Sequence, residues 1–243
     1  MTSSVFCCFA LFLLLSALAS AWPTCANGMT CISLTPSITP ELTFDCAYVK
    51  ATTNPVGNVL YLHGNDGAGS KAMWASQMLA QAPLGFTGLA CDARGYSPGA
   101  SPNNQSAYLY DELAKDLFSL ADTFGFGKEY GGKFHVVAHD QGARVTWHAI
   151  AKYQGRKRFL SFATLSIPHS DVFSDSLIGP NADRDQQAAA QYVRMLTLPN
   201  AMTVDHDRIR DWLCKQENYK TTEACQHAHW YNPPFIWPVV YVP

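Results

Sequence analysis

Charge is scarce in this chain. Asp, Glu, Lys and Arg make up only 15% of 243 residues, and 17 basic residues against 19 acidic ones leave a net charge of −2. That balance offers no basic surface for nucleic acid. A long apolar run is missing too: residues 5–18 are apolar apart from Ser16, short of the roughly 20 residues a membrane-spanning helix needs, so no stable span is expected. The glycine-rich stretch from His63 to Gly69 continues as Gly69-Ser70-Lys71. A phosphate-cradling loop needs Gly-Lys-Ser/Thr there, which disfavours nucleotide binding. The run at 125–132, with Gly125, Gly127, Gly131 and Gly132, precedes a strand-like segment and reads as a loop.

The short apolar run is followed by Ala19-Ser20-Ala21, a small-residue cleavage pattern. A signal peptide over residues 1–21, cut before Trp22, is expected. Its leading segment has no Lys or Arg, which leaves an uncleaved anchor as the alternative. Cleavage would remove Cys7 and Cys8 and leave Cys25, Cys31, Cys46, Cys91, Cys214 and Cys225, an even number suited to an oxidising compartment. Local pairs Cys25–Cys31 and Cys214–Cys225 are expected. Cys46 and Cys91 lie in strand-like text, where a buried free thiol and a cross-strand bridge both remain open. Asn104-Gln105-Ser106 is a glycosylation sequon. The expected product is a secreted glycoprotein.

Strand-like segments occupy residues 42–49, 59–62 and 86–91, and unbroken apolar runs suit a sheet covered on both faces. Helical text follows His63–Gly69, bearing Trp74, Met78 and Leu79. Between 106 and 124, Leu109, Leu113, Leu117, Leu120 and Phe124 recur at helical spacing, predicting an amphipathic helix with Asp111, Lys115 and Asp116 outward. Residues 133–153, KFHVVAHDQGARVTWHAIAKY, read as a short buried strand, an abrupt turn and a helix. That helix is expected to face the sheet with Ala143, Trp147, Ile150 and Ala151 and solvent with Arg144, His148 and Lys152. Residues 159–167 read as the next buried strand. This alternation predicts an α/β fold with a mainly parallel sheet and a ligand at the strands' carboxyl ends. From His169 the text changes to helical stretches at 183–195, 205–215 and 222–230 without strands between them, the mark of an inserted lid. Strand text resumes only at 238–243.

At the turn stands Asp140 within Ala138-x-Asp140-x-Gly142. Small residues two before and two after the tip allow a strand to fold directly into a helix. Two readings stand: an acid that starts a helix, favoured by its dipole, or a nucleophile thrust out at the tip. A carboxylate attacking a carbonyl would give a labile anhydride, whereas attack at a saturated carbon gives an ordinary ester. Epoxide opening or halide displacement is therefore the chemistry such a tip would suit. The backbone N–H groups of Asn65 and Gln141 are candidates for an oxyanion hole. His63 and His139 read as turn residues and His148 as exposed. His227 and His229 are two apart and diverge on a helix, so no metal site is expected.

His63-Gly64, Asp92-x-Arg94-Gly95, His139-Asp140-x-Gly142, Pro168-His169 and a Trp230-Tyr231 pair together resemble the α/β-hydrolase superfamily. Within it they are most similar to epoxide hydrolases and their haloalkane dehalogenase relatives. The resemblance implies an α/β-hydrolase fold with a helical lid inserted after the sixth strand. It implies a core over 22–168, a cap over 169–236 and the start of a further core strand at 237–243, with the C-terminal strands and helices of the core missing. It also implies that Asp140 is the nucleophile, that Tyr192 and Tyr231 hold and protonate an epoxide oxygen, and that the substrate is a small apolar epoxide needing no metal or organic cofactor. Asn65 and Asp66 depart from the aromatic residue and proline usual after His-Gly. Gln141 stands where dehalogenases carry a halide-binding Trp, which puts dehalogenation of haloalkanes or halo acids second. The family's base is a late His oriented by an acid, and this sequence has no His after His229. The expectation is therefore an incomplete chain that forms an ester without turning it over. A non-catalytic secreted relative is the third reading.

Overall fold

A computed structural model describes residues 25–64, 69–153 and 155–190. Strands β1 (Thr30–Leu34) and β2 (Phe44–Val49) come first, followed by β3 (Gly57–Leu62), helix α1 (Ala75–Gln81) and β4 (Phe86–Cys91). Helix α2 (Tyr110–Phe124) leads to β5 (Phe134–His139), α3 (Gln141–Lys152), the single turn α4 (Gly155–Arg158) and β6 (Phe159–Leu165). Two short helices, α5 (Ser170–Ile178) and α6 (Arg184–Ala189), close the described part. The sheet order is β1-β2-β4-β3-β5-β6. β3 lies parallel to β4 and β5, and β5 parallel to β6, while β2 runs antiparallel to β1 and β4. This is an α/β fold with a mixed, mostly parallel sheet.

Each face of the sheet has its own apolar layer. Val59, Tyr61 and Ala90 pack with Trp74, Met78 and Ala82 on one side. Leu60, Leu89, Phe134, Val136 and Ala138 pack on the other with Leu117, Leu120, Ala121, Ala143 and Ala149 of α2 and α3. Burial on both faces explains the near-continuous apolar text of β3 and β4.

Several expectations are corrected. β1 carries no strong strand signal because Leu34 is its only buried residue. Pairing with β2 makes it a strand, and the Cys25–Cys31 bridge lies just before and within it. The helix expected over 106–124 breaks at Leu109, which is extended at φ −60° and ψ 147° between a 3-10 turn (Gln105–Tyr108) and α2. Asp116 points inward and is buried, because its place beside Leu117 and Leu120 lets it meet a buried arginine. On α3, Ala151 is exposed, whereas the buried face is Gly142, Ala143, Val145, Thr146 and Ala149. Gly142 sets this roll: a Cβ there would lie 2.7 Å from the Leu62 carbonyl oxygen and 2.8 Å from that of His63. His148 is partly buried, with Nε2 at 2.6 Å from Asp111. β6, expected to be buried, forms an edge of the described sheet with Leu160, Phe162 and Leu165 exposed.

The Cys25–Cys31 bridge is as expected. Cys46 and Cys91 stand opposite each other on β2 and β4 and are joined as a cross-strand disulfide. α6 follows Asp183, whose carboxylate accepts the Gln186 N–H at 2.8 Å, and α5 was not foreseen. Cys214, Cys225, the helical text at 205–215 and 222–230, and the strand text at 238–243 lie outside the described residues. Among the described residues no helix is long and apolar enough to cross a membrane.

Candidate active site

β5 runs into the sheet's carboxyl edge, and the chain reverses into α3 within one residue. Asp140 takes φ 49° and ψ −115°, a left-side conformation that costs a non-glycine residue about 1–3 kcal/mol. Three backbone bonds over-determine it. Asp140 N–H donates to Leu165 O at 3.1 Å, Gly142 N–H to His63 O at 3.1 Å, and Arg144 N–H to Asp140 O at 3.2 Å. A residue that merely starts a helix would sit in the extended region with its carboxylate accepting an N–H of the first turn. Asp140 does neither: it makes no side-chain cap bond.

Gly64, at the end of β3, faces this tip. A Cβ added to it would lie 2.5 Å from the Asp140 Cβ and 2.7 Å from its Oδ1, so only glycine allows the carboxylate and the turn to approach so closely. Gln141 opens α3, and its side-chain oxygen accepts the Tyr110 hydroxyl at 3.4 Å. The structure thus brings Gly64, Asp140 and Gln141 together. Asn65, Tyr192 and Tyr231 lie outside the described residues.

His63 is buried and serves turn geometry, as expected. Its Nε2 accepts the Ala93 N–H at 2.8 Å, which leaves Nδ1 to carry the proton and donate to Gly64 O at 2.8 Å. The segment from Asp92 to Ser97 holds buried polar groups whose partners lie far off in sequence. Asp92 accepts the Lys71 backbone N–H at 2.7 Å and its Nζ at 2.5 Å, with both side chains buried. Ser97 Oγ donates to Asp92 O at 2.8 Å and accepts the Asp45 N–H at 2.9 Å. Arg94 grips Asp116 through Nε and Nη2, at 2.8 and 2.6 Å, and donates to Ala107 O at 2.8 Å. Burial pushes the Asp116 carboxyl above its ordinary value, and the guanidinium opposes that shift. The sequence signal for these residues is the Asp92-x-Arg94-Gly95 motif; Lys71 carries none.

Behind the elbow, Trp147 Nε1 donates to Ile167 O at 3.3 Å, and the Arg144 guanidinium lies 5.2 Å from the Phe173 ring centre. These contacts tie α3 to the chain beyond β6. His139 Nδ1 is buried without a hydrogen-bond partner in the structure. Among the described residues no group of three or more His, Cys, Asp or Glu could hold a metal ion.

Proteins of known kind resemble the chain over part of its length. Epoxide hydrolase 2 of Siraitia grosvenorii is 30% identical over 90 residues, 37% of this chain and 26% of that protein. Epoxide hydrolase A of Mycobacterium tuberculosis is 35% identical over 95 residues, 39% of this chain and 27% of that protein. Among solved structures, an epoxide hydrolase of Vigna radiata superposes with a TM-score of 0.54 at 22% identity, covering 77% of this chain and 54% of that one. One from an endophytic Streptomyces gives 0.56 at 22%, covering 78% and 52%. The chain thus spans about half the length of these structures, and the aligned stretch is about a quarter of each of these two sequence relatives. The sequence model of the alpha/beta hydrolase fold matches residues 57–224, more than half of the chain, and the chain belongs to that family, with epoxide hydrolases among its homologues.

Proposed function

We propose that this α/β hydrolase acts on small apolar epoxides, with Asp140 as nucleophile. The carboxylate oxygen attacks a ring carbon, the C–O bond of the epoxide breaks, and the released alkoxide takes a proton from a phenol. Tyr192 and Tyr231 are assigned that donor role, and the backbone N–H groups of Asn65 and Gln141 are assigned to the oxyanion formed when water later attacks the ester carbonyl. The observation that carries the reading is the Asp140 carboxylate at a strained tip, pressed against a glycine that admits no side chain. The epoxide hydrolases among the relatives support the substrate class. The same reading places the chain in the secretory route, which the two disulfides support.

Intact-mass and peptide mass spectrometry after incubation with a reactive styrene-type epoxide tests the proposal. The expected result is one adduct on Asp140, absent in Asp140→Asn and formed at least about tenfold more slowly in Tyr192→Phe and Tyr231→Phe. A folded wild-type protein that releases halide from a haloalkane and gains no epoxide adduct would overturn it.

A further inference from the structure

Two tethers leave one strand end near Gly64, the residue that faces Asp140. β4 ends at Cys91, and the next two residues reach back to a near end at His63 and a far end at Lys71. At the near end, Ala93 N–H donates to His63 Nε2 at 2.8 Å, and the same imidazole donates to Gly64 O. At the far end, the Asp92 carboxylate takes both the backbone N–H and the ammonium of Lys71. Lys71, Asp92 and His63 are all buried, at 5%, 3% and 3% exposure. A buried lysine placed at the start of a 3-10 turn (Lys71–Trp74) has no role in apolar packing that a leucine would not fill better. Its charge and its backbone N–H both address one carboxylate. The strand end is itself fixed, by the Cys46–Cys91 bridge to β2 and by Asp92 N–H to Asp45 O at 2.8 Å.

We infer that Lys71 and Asp92 are positioning residues: their pairing clamps the end of β4, from which Ala93 holds the His63 imidazole and, through it, Gly64 against the Asp140 carboxylate. The clamp touches neither substrate nor reacting atoms. It rests on the reading of Asp140 as nucleophile for its catalytic meaning, and on geometry alone for its mechanical one. Loss of the clamp should lower the rate of the Asp140 reaction at saturating epoxide and leave the half-saturating concentration unchanged, because what moves is the backbone beside the nucleophile.

Hydrogen exchange and alkylation kinetics test this together. In the wild-type chain, the amides of Lys71 and Ala93 should exchange at least about a hundredfold more slowly than those of the exposed loop 103–106, on the scale that separates core amides from mobile loops. Equal rates would overturn the clamp with no variant needed. The double variant Lys71→Met/Asp92→Leu removes the pair without leaving a lone buried charge, and is expected to fold. The Ala93 amide, whose partner His63 the substitutions do not touch, should then exchange at least about tenfold faster than in wild type, with the amides of β5 unchanged. Its alkylation at saturating epoxide should fall at least about tenfold, with the adduct still on Asp140 and half-saturation within about twofold. Unchanged exchange at Ala93 in the double variant would sink the clamp. A wild-type chain that takes no adduct while the variant loosens the Ala93–His63 bond would sink the nucleophile reading and leave the clamp standing.

Discussion

At the tip of the elbow, two residues meet opposite demands. Asp140 must hold a backbone angle its side chain disfavours, and Gly142 must hold helical angles where alanine would ordinarily gain about 1 kcal/mol. The Cβ that alanine brings would sit 2.7 Å from the Leu62 Cβ and carbonyl oxygen, overpacking that costs about 1–3 kcal/mol. Because backbone is the obstacle, the clash wins. Gly142→Ala is expected to lower stability by up to about 2 kcal/mol in urea unfolding; a gain would mean that α3 can shift off β3. On β5, His135 shares a hydrogen bond with Ser161 Oγ at 2.8 Å, and burial holds its pKa below the usual histidine value. The unfolded chain therefore takes up this proton more readily than the folded one. The contribution of His135 to stability is intact above its ordinary pKa of about 6.5, and is lost as pH falls through that value toward the lower folded one. His135→Gln should flatten the fall in melting temperature between pH 7 and 5, and an unchanged slope would assign that fall to other groups.

Helix α2 docks on the sheet through Ala114, Leu117, Leu120 and Ala121, but its charged residue at 116 decides how firmly. Neutralising one partner of a buried pair strands the other charge, at a cost of about 3–5 kcal/mol. Asp116→Asn is expected to destabilise the chain by that order in chemical unfolding, while Lys115→Gln on the exposed side should change little. This pair also shows where reading a sequence stops. The 3.6-residue spacing of Leu113, Leu117 and Leu120 locates the helix, yet treats every charge as outward. Nothing in the spacing tells Asp116 from Asp111, because the difference is Arg94, 22 residues away. Leu109 shows the same limit: it fits the apolar stripe, and the break there follows from the 3-10 turn before it. The elbow was legible because its constraint is local, with small residues fixed at two offsets from the tip. The clamp was not, since Lys71 acquires its meaning only once β4 lies beside β3.

Across the whole molecule, the strands at 44–49, 57–62, 86–91, 134–139 and 159–165 follow the apolar runs, and the parallel order of the last four follows from the helices between them. β1 escapes because an edge strand with one buried side chain has almost no pattern to read. The choice between free thiols and a bridge at Cys46 and Cys91 also needed the sheet, which puts β4 beside β2 and leaves β3 on its far side. That bridge closes the chain between β2 and β4 into a covalent ring. Residues 46–91 are enclosed, including the exposed turn at 52–56, where an endoprotease would find its easiest access. A single cut there should give one band on a non-reducing gel and two after reduction. A cut form that separates without reductant would show that the ring had never closed.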